Sequence, residues 1–589
     1  MRILGIFDDH NAGCAIIEDG KILAAVEEER LSRIKLHNGN VDGPPIRSLK
    51  NVMEITGSNP QNIDAVALAI MPPGELMRYV WHDLFKVQKN KKWILASLFS
   101  KSIRWDKYWL FYPYFYNKFR IRRIKKLLKK VGLGDKPLRL VDHHRAHAAA
   151  AYYTGGKERA LVVTLDGQGD GQCSQVWLGE KGRMKLLRTH SSYHSPGLFY
   201  NFITWYLGFK PMRHEGKITG LAAYGNYETA RPYFEKLFGF QNGDFRYYHA
   251  EKQMQHAYPH RTNYVKFKRA LPDGFHKLSR EDVAAGVQVL TEKVVAQYID
   301  QFLQQTGPID ICMAGGVFAN VRVNQKVAEL ENAKSVYIFP AMGDNGLPVG
   351  AALYTYYKEM GWPEVTEMPK LENVYLGPGF SDAEIEAELK KSGLKYEYYE
   401  NIASKIAELL HQGHVIARFD GRMEYGPRAL GNRSILYQPT DVTVNDWLNH
   451  KLKRTEFMPF APVTILEDMN GHYQNVTQNV YPARFMTITF GCSDEMKKTC
   501  PAVVHVDQTA RPQLIDEKTN PTYYRILREY QKLTGLSSII NTSFNMHEEP
   551  IVCTPGDAIR AFKLGHLDYL AISNFLVYSP DQDKAARRE

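Results

Sequence analysis

The sequence predicts an α/β protein of two domains, the first built on a repeated unit. Three observations carry that prediction. Apolar strand-like runs alternate with glycine-rich turns and helical stretches from the N-terminus to Tyr357. The opening pattern of strand, turn, strand, strand in "RILGIFDDHNAGCAIIEDGKILAAVEE" returns in "RALVVTLDGQGDGQCSQVWLGEKGRMKLL". After Tyr357 a polar, proline-bearing stretch, "KEMGWPEVTEMPKLENVYLGPGFS", reads as a connection, which puts a boundary near residue 365 between domains 1–365 and 366–589.

In chain order, "RILGIFDD" and "AGCAIIED" read as paired strands, and Asp19-Gly20 turns the chain into a third, "KILAAVEE". Asp8, Asp9, His10 and Asn11 occupy the first turn. A repeated unit of this kind suggests the nucleotide-binding (ASKHA) domain shared by sugar kinases, actin and Hsp70. In the second copy Leu161 to Leu165 reads as a buried strand and "DGQGDGQ" as a polar turn opened by Asp166. "IDICMAGGVFANVRVNQKVAEL" and "SVYIFPAMGDNGLPVGAALYTYY" each run from a strand through a glycine-rich loop into a helix. Gly315 and Gly316 would let a backbone approach phosphates, and Asn320 and Asn324 fall four apart on one helical face. Tight helix packing is the plain alternative. Beyond the boundary, "DAEIEAELKKSG" and "NIASKIAELLHQGHVIARFDG" read as amphipathic helices, the latter feeding a strand.

Composition excludes several classes. Of 589 residues 44% are hydrophobic and 24% charged, values of a soluble globular chain, and six scattered cysteines without a CxxC pair indicate neither a disulfide framework nor a thiolate metal site. No apolar run reaches the roughly 18 residues a membrane span needs, and the apolar start is too short for a signal peptide; a cytoplasmic enzyme is expected. The net charge of +11 is local: from Lys86 to Lys136, 16 Lys and Arg face two acids, so the rest is close to neutral. This basic, aromatic insertion, about 80–136, either docks on an anionic membrane surface or anionic acceptor, or is a helical insertion with a solvated basic face.

"VDHHRAHAAAAYYTGG" carries the first chemistry. Its alanines and lack of proline favour a helix, on which His143 and His147 share a face while His144 lies about 100° round. The pair can hold one metal ion. A zinc-protease HExxH reading fails, because His144 stands where the glutamate base would be. Asp166 and Asp344, each after a buried strand, complete a His₂Asp₂ set suited to iron, manganese or zinc rather than calcium, although strand-end carboxylates are also common caps. In "HEGKITGLAAYGN", Glu215 and Lys217 precede a helix, where the lysine can neutralise a phosphate or simply occupy a surface turn.

The second domain sets cations in special turns. "DGRMEYGPRALGNRSIL" holds Arg428 and Arg433, "NHKLKRTEFMPFAPV" holds Lys451, Lys453 and Arg454, and "HVDQTARPQLI" holds His505 and Arg511. "NTSFNMHEEPIV" adds Asn541, Thr542, Ser543 and Asn545 in a polar turn. Guanidinium groups fork two donors onto phosphate or carboxylate, so the clustering suggests a multiply anionic ligand.

Taken together, "DHHRAHAAAAYY", "HEGKITGLAAYG", "EYGPRALGNRSIL", "MPFAP" and "NTSFN…EPIV" resemble the O-carbamoyltransferase family of nodulation and antibiotic-tailoring enzymes, the NodU/CmcH type, in family order from the first strand to "TPGDAIRAF". The resemblance implies an ASKHA N-terminal domain joined to a domain similar to threonylcarbamoyl-adenylate synthase. It implies that the second domain makes carbamoyl-adenylate from carbamoyl phosphate and ATP with Mg²⁺, and that a substrate hydroxyl takes the carbamoyl group in the first. His143, His147, Asp166 and Asp344 would hold Fe²⁺ or another divalent transition metal. Lys217, Gly315, Gly316, Asn320 and Asn324 would line the nucleotide site of the first domain. Arg428, Arg433, Lys453 and Arg511, with Thr542, Ser543 and Asn545, would bind the anions of the second. His10, Asp9 or His144 would serve as base toward the acceptor, and Arg428 and Lys453 would assist activation. Met458 departs from the family's arginine in "RPFAP". The expected partners are ATP, carbamoyl phosphate and a hydroxyl-bearing small molecule such as a sugar or natural product; a homodimer is compatible and stable nucleic-acid binding is not expected. An ASKHA kinase or ATPase and an RNA-binding protein are the competing readings; the first gives the histidine pair and the arginine turns no role, and the near-neutral charge outside the basic segment argues against the second.

Overall fold

A computed structural model describes residues 1–78, 104–248, 264, 267–365, 367–452 and 460–580. The N-terminal half contains the repeat. Strands β1 (Arg2–Phe7), β2 (Gly13–Glu18), β3 (Lys21–Glu27), β4 (Ala65–Ala69) and β5 (Leu138–Val141) form a sheet ordered β3-β2-β1-β4-β5. Strands β6 (Arg159–Gly169), β7 (Gln172–Glu180) and β8 (Arg183–Ser191) are followed by a separate hairpin of β9 (Phe238–Gln241) and β10 (Asp244–Tyr247), then by β11 (Ile309–Ala314) and β12 (Ala333–Ile338). The second sheet runs β12-β11-β6-β7-β8, the first order repeated. In each copy three strands form an antiparallel meander and two more add in parallel to its first strand. This is the duplicated α/β architecture expected from the sequence.

Small residues set the spacing between the two sheets. The helix His143–Tyr152 carries Ala146 and Ala148 to Ala151 fully buried, and a Cβ on Gly350 would lie 1.8 Å from the carbonyl oxygen of Ala146. That approach seats the helix Leu347–Glu359 directly against the histidine helix. One expectation changes: Asp166 to Gly169 belong to β6, with an irregular register against β7, and the turn itself is Asp170-Gly171, both at positive φ.

The basic insertion appears as the helix Arg104–Lys130. Its inner face buries Asn117, Arg120, Ile124, Leu127 and Leu128. Residues 80–103 of the insertion, and Lys453, Arg454 and Met458, lie outside the described residues. No described helix is long and apolar enough to cross a membrane.

The C-terminal half is an eight-stranded mixed sheet ordered Tyr396–Tyr398, Phe575–Tyr578, Tyr569–Ile572, Ile416–Phe419, Arg433–Tyr437, Ser538–Ser543, Ala461–Ile465, Gln513–Ile515. The helices Ile402–His411 and Pro521–Thr534 share a core with Ile416, Leu436, Val463 and Ile539. The halves are locked together. Asn324 Nδ2 donates to the Thr487 carbonyl at 2.7 Å, the Val336 amide to Asn479 Oδ1 at 2.9 Å, and Arg33 to the carbonyls of Pro550 and Ile551 at 2.8 and 2.7 Å.

Candidate functional site

Asp142 caps the histidine helix, its side chain accepting from the Arg145 amide at 2.8 Å, which fixes where the first turn starts and places His143 and His147 on one face. Asp166 comes from β6, and Asp344 from the loop after β12. His143 Nε2 lies 3.6 Å from Asp166 Oδ2 and 3.5 Å from Asp344 Oδ1; His147 Nε2 lies 3.2 and 3.6 Å from the same oxygens. All four donor atoms fall within 4.8 Å of one another. A cation bonded at about 2.0–2.2 Å to tetrahedral donors spaces them roughly 3.3–3.6 Å apart, and the four histidine–aspartate separations are of that size.

Hydrogen bonding supports the same fit. Both Nε2 atoms and Asp166 Oδ2 are buried without a hydrogen-bond partner, an arrangement costly to maintain unless something else satisfies them. Burial disfavours charge on His143, yet Asp344 and Asp166 overcome it and raise its pKa to about 9. Burial likewise opposes ionisation of Asp166, but the two histidines hold it well below the usual carboxylate range. Gly169 makes room for the cluster: a Cβ there would stand 2.1 Å from the His143 ring. Gly315, at φ 111°, backs onto Leu165, whose carbonyl oxygen a Cβ would meet at 2.3 Å, and a Cβ on Gly316 would lie 3.1 Å from Asp166 Oδ1. The paired glycines thus wrap the strand end that carries Asp166.

The three base candidates have different surroundings. His144 is fully buried, with Nδ1 2.9 Å from Thr164 Oγ1 and Nε2 3.1 Å from the Gln172 carbonyl; burial and the adjacent histidines push its pKa down to about 3. Both of its nitrogens are engaged, so it has no lone pair for an acceptor, and the catalytic expectation is corrected to a packing role. Asp9 accepts from the Tyr116 hydroxyl at 2.8 Å and faces Arg120 at 3.3 Å; burial opposes its charge, but these cationic and hydroxyl neighbours keep it ionised. His10, partly exposed at the same turn, has no side-chain hydrogen bond among the described residues.

The asparagines are corrected too. Asn320 is the N-cap of the helix Val321–Ala328, accepting from the amides of Arg322 and Val323, and also bonds Gln288 at 2.9 Å; Asn324 is fully buried, bridging Phe318 and Thr487 carbonyls. They hold the fold rather than share a ligand-facing stripe. Lys217 is buried in the helix Glu215–Ala222, and burial raises the Glu215 carboxyl to about 7.

Between the halves is a cavity of about 200 Å³. Thr219, Gln288 and Arg322 line it from the N-terminal side, and Thr489, His505 and Arg511 from the C-terminal side. Arg433 lies outside that lining. It is fully buried, its guanidinium 3.6 Å from the Phe419 ring centroid, with donors directed at the carbonyls of Asp420 and Asn432 at 2.7 and 2.8 Å; burial lowers its pKa to about 10. The anion-binding expectation for Arg433 is therefore corrected: it has no face open to a ligand. Arg428 is partly exposed in the loop before it. Thr542 and Ser543 end a strand paired with Arg433–Tyr437, and Asn545 closes the following turn through the carbonyls of Met546 and Glu549.

Comparison with known proteins fixes the family. The signature of the carbamoyltransferase N-terminus matches residues 2–353, and that of the carbamoyltransferase C-terminus residues 407–579. The chain belongs to the carbamoyltransferase family. The nodulation protein NolNO of Sinorhizobium fredii is 32% identical, covering 96% of this chain and 79% of that protein. An uncharacterized protein of Methanocaldococcus jannaschii, MJ1058, is 33% identical over 98% and 99% of the two chains. Nodulation protein NolO of Bradyrhizobium diazoefficiens is 33% identical over 74% of this chain and 78% of its own length.

Sequence reasoning missed several residues of this carbamoyltransferase. Asp8 is fully buried and paired with Arg120 at 2.7 Å and Arg123 at 2.5 Å, so the insertion helix is pinned to the first turn. Only an acid at a strand end and arginines three apart on a helix were visible, with nothing to join them across more than a hundred residues. Arg322 and Asp507, 3.4 Å apart, tie the cavity walls together across the halves; burial opposes the Asp507 charge, while His505 and Arg322 hold its carboxyl far below the ordinary range.

Proposed function

We propose that this carbamoyltransferase works in two steps in two places. Residues 366–589 activate the carbamoyl group: water displaces phosphate from carbamoyl phosphate, and the resulting carbamate oxygen attacks the α-phosphorus of ATP, held as its Mg²⁺ complex, expelling pyrophosphate. Residues 1–365 transfer it: an acceptor hydroxyl attacks the carbonyl of carbamoyl-adenylate, the carbonyl–oxygen bond to AMP breaks, and the hydroxyl proton passes to a base. The mixed anhydride carries AMP, a stabilised phosphate leaving group, so its carbonyl is a better electrophile than that of free carbamate.

The observation that carries this reading is the convergence of His143, His147, Asp166 and Asp344, with His143 Nε2, His147 Nε2 and Asp166 Oδ2 buried and without a hydrogen-bond partner. These four residues would hold Fe²⁺ or another divalent transition metal, which when bound supplies Lewis acidity toward the departing phosphate. Lys217, Gly315 and Gly316 would orient the nucleotide beside them. His10 takes the acceptor proton, because Asp9 is engaged by Arg120 and Tyr116, and His144 by Thr164 and Gln172. Arg511 and Arg428, with Lys453, Thr542 and Ser543, bind the anions of the activation step. The cavity between Thr219 and Arg511 lies where both halves meet and suits passage of the adenylate. The acceptor is a hydroxyl-bearing small molecule.

The test is pyrophosphate release from the purified protein given ATP, magnesium and carbamoyl phosphate, each omitted in turn, with Arg428→Ala as control. Release that requires carbamoyl phosphate and is lost in the variant supports activation. ADP formed without carbamoyl phosphate would overturn the reading in favour of a kinase. His10→Gln should keep pyrophosphate release and lose carbamoylation of acceptors.

A further inference from the structure

The helix Arg104–Lys130 has two faces of opposite character. Its inner face is immobilised: Arg120 and Arg123 clamp the buried Asp8, Asn117 Nδ2 donates to the Met71 carbonyl at 3.0 Å, and Ile124, Leu127 and Leu128 are in the core beneath the first sheet. The helix therefore cannot roll to hide its other side. On that outer side Phe115 and Phe119 are 60% and 59% exposed. Lys118, Arg122, Lys125, Lys126, Lys129 and Lys130 are exposed with them.

At 100° per residue these eight side chains fall within an arc of about 140°. No acid occurs from Lys107 to Lys130, and none of the six cations forms an ion pair among the described residues. Lys118 lies instead over the ring of Tyr114 at 5.5 Å, and Arg123, which pairs inward with Asp8, lies over the ring of Phe119 at 5.9 Å. An ordinary solvated basic face mixes signs and carries polar residues between its charges. Here two phenyl rings one turn apart are held in water at one end of a stripe of uncompensated cations. Lipid headgroups meet both features at once, since they offer anionic charge at the surface and an apolar boundary a few ångströms below it.

We infer that the outer face of the helix Arg104–Lys130 docks the enzyme on an anionic membrane surface, with Phe115 and Phe119 entering the headgroup boundary and the lysines and arginines at the phosphates. Docking is peripheral and reversible. Because the same helix clamps the first turn, it brings the Asp8–Asp9 edge of the transfer site close to the bilayer.

The experiment is co-sedimentation of the full chain with vesicles of phosphatidylcholine alone or mixed with phosphatidylglycerol, at low and physiological salt. Binding should require the anionic lipid and weaken with salt. Lys118→Glu/Arg122→Glu/Lys125→Glu should lower it about 100-fold, at roughly fivefold or more per cation, and Phe115→Ser/Phe119→Ser at least tenfold. Both variants should keep parental circular dichroism and melting temperature, as their side chains face solvent. A more conservative pair, Lys118→Gln/Lys125→Gln, provides the reading if the charge reversal disturbs folding. No binding to mixed vesicles, equal binding to neutral ones, or unchanged binding by well-folded variants would each overturn the inference. So would binding of an RNA oligonucleotide without any binding to vesicles.

Discussion

The hydroxyl of Tyr425, in the C-terminal half, donates to the backbone carbonyl of Asn345, the residue next to Asp344. Asn345 in turn donates from its side chain to Glu27 at 2.6 Å; Glu27 pairs with Arg30 at 2.5 Å, and Arg30 Nη2 returns to the carbonyl of Gly426 at 2.8 Å. A closed circuit thus joins "EYGPRALGN" to the loop bearing one of the four converging side chains. Groups that orient a ligand-bearing loop typically matter about 10- to 100-fold in metal affinity. Tyr425→Phe should therefore weaken metal retention by roughly tenfold or more while leaving pyrophosphate release within about twofold. Metal content after dialysis against graded chelator checks the first, and a coupled pyrophosphate assay the second.

The raised pKa of His143 predicts a pH dependence of stability. The His143 pKa is raised from 6.5 to about 9 in the metal-free fold. A raised pKa stabilises the fold fully below the unfolded value, and that contribution is lost as pH climbs from 6.5 through 9. Its size is on the order of 3 kcal/mol. The metal-free enzyme should accordingly melt at a lower temperature at pH 9 than at pH 6.5, and His143→Asn should flatten that difference. Differential scanning calorimetry of chelator-treated protein reads both; an equal slope in the variant would assign the pH dependence elsewhere.

Gly169 offers a test by volume alone. Gly169→Ala places a methyl group 2.1 Å from the present position of the His143 ring, so either the ring or β6 must move. The substitution should strip metal as thoroughly as His147→Ala, although it removes no donor. Stoichiometry near one metal ion per chain for the parent and near zero for both variants, by elemental analysis, is the expected outcome.

What the sequence made legible was local. Strands β1 to β3 follow from apolar runs broken at Asp19-Gly20, and the helix His143–Tyr152 from its alanines. The relation of His143 to His147 is a matter of helical period, so it needs no tertiary knowledge. Asp166 and Asp344 were visible only as acids at strand ends; that they face the same histidines depends on β6 and β12 lying in one sheet beside the helix between the repeats. Asn320 and Asn324 show the limit of periodicity. Their spacing of four is helical, but Asn320 sits at the cap, where its side chain turns back onto the helix amides. Nothing local distinguishes a cap from a first turn when both begin after a glycine-rich loop.

Arg433 and Arg511 illustrate the same limit and allow the sharpest separation of structure from function. Both are arginines beside glycine or proline turns in the C-terminal half. Arg511 lines the cavity between the halves, whereas Arg433 is enclosed and bonds the carbonyls of a turn it holds together. Arg433→Ala should leave several buried carbonyls unsatisfied at roughly 1–3 kcal/mol each, giving poor solubility or a large fall in melting temperature. Arg511→Ala should melt close to the parent yet lose pyrophosphate release, through a KM for carbamoyl phosphate or ATP raised about 100-fold, as loss of a charge-assisted pair of bonds to an anion would produce. Melting curves beside initial rates discriminate the two. A stable, inactive Arg433→Ala with an unstable Arg511→Ala would reverse the roles given to them.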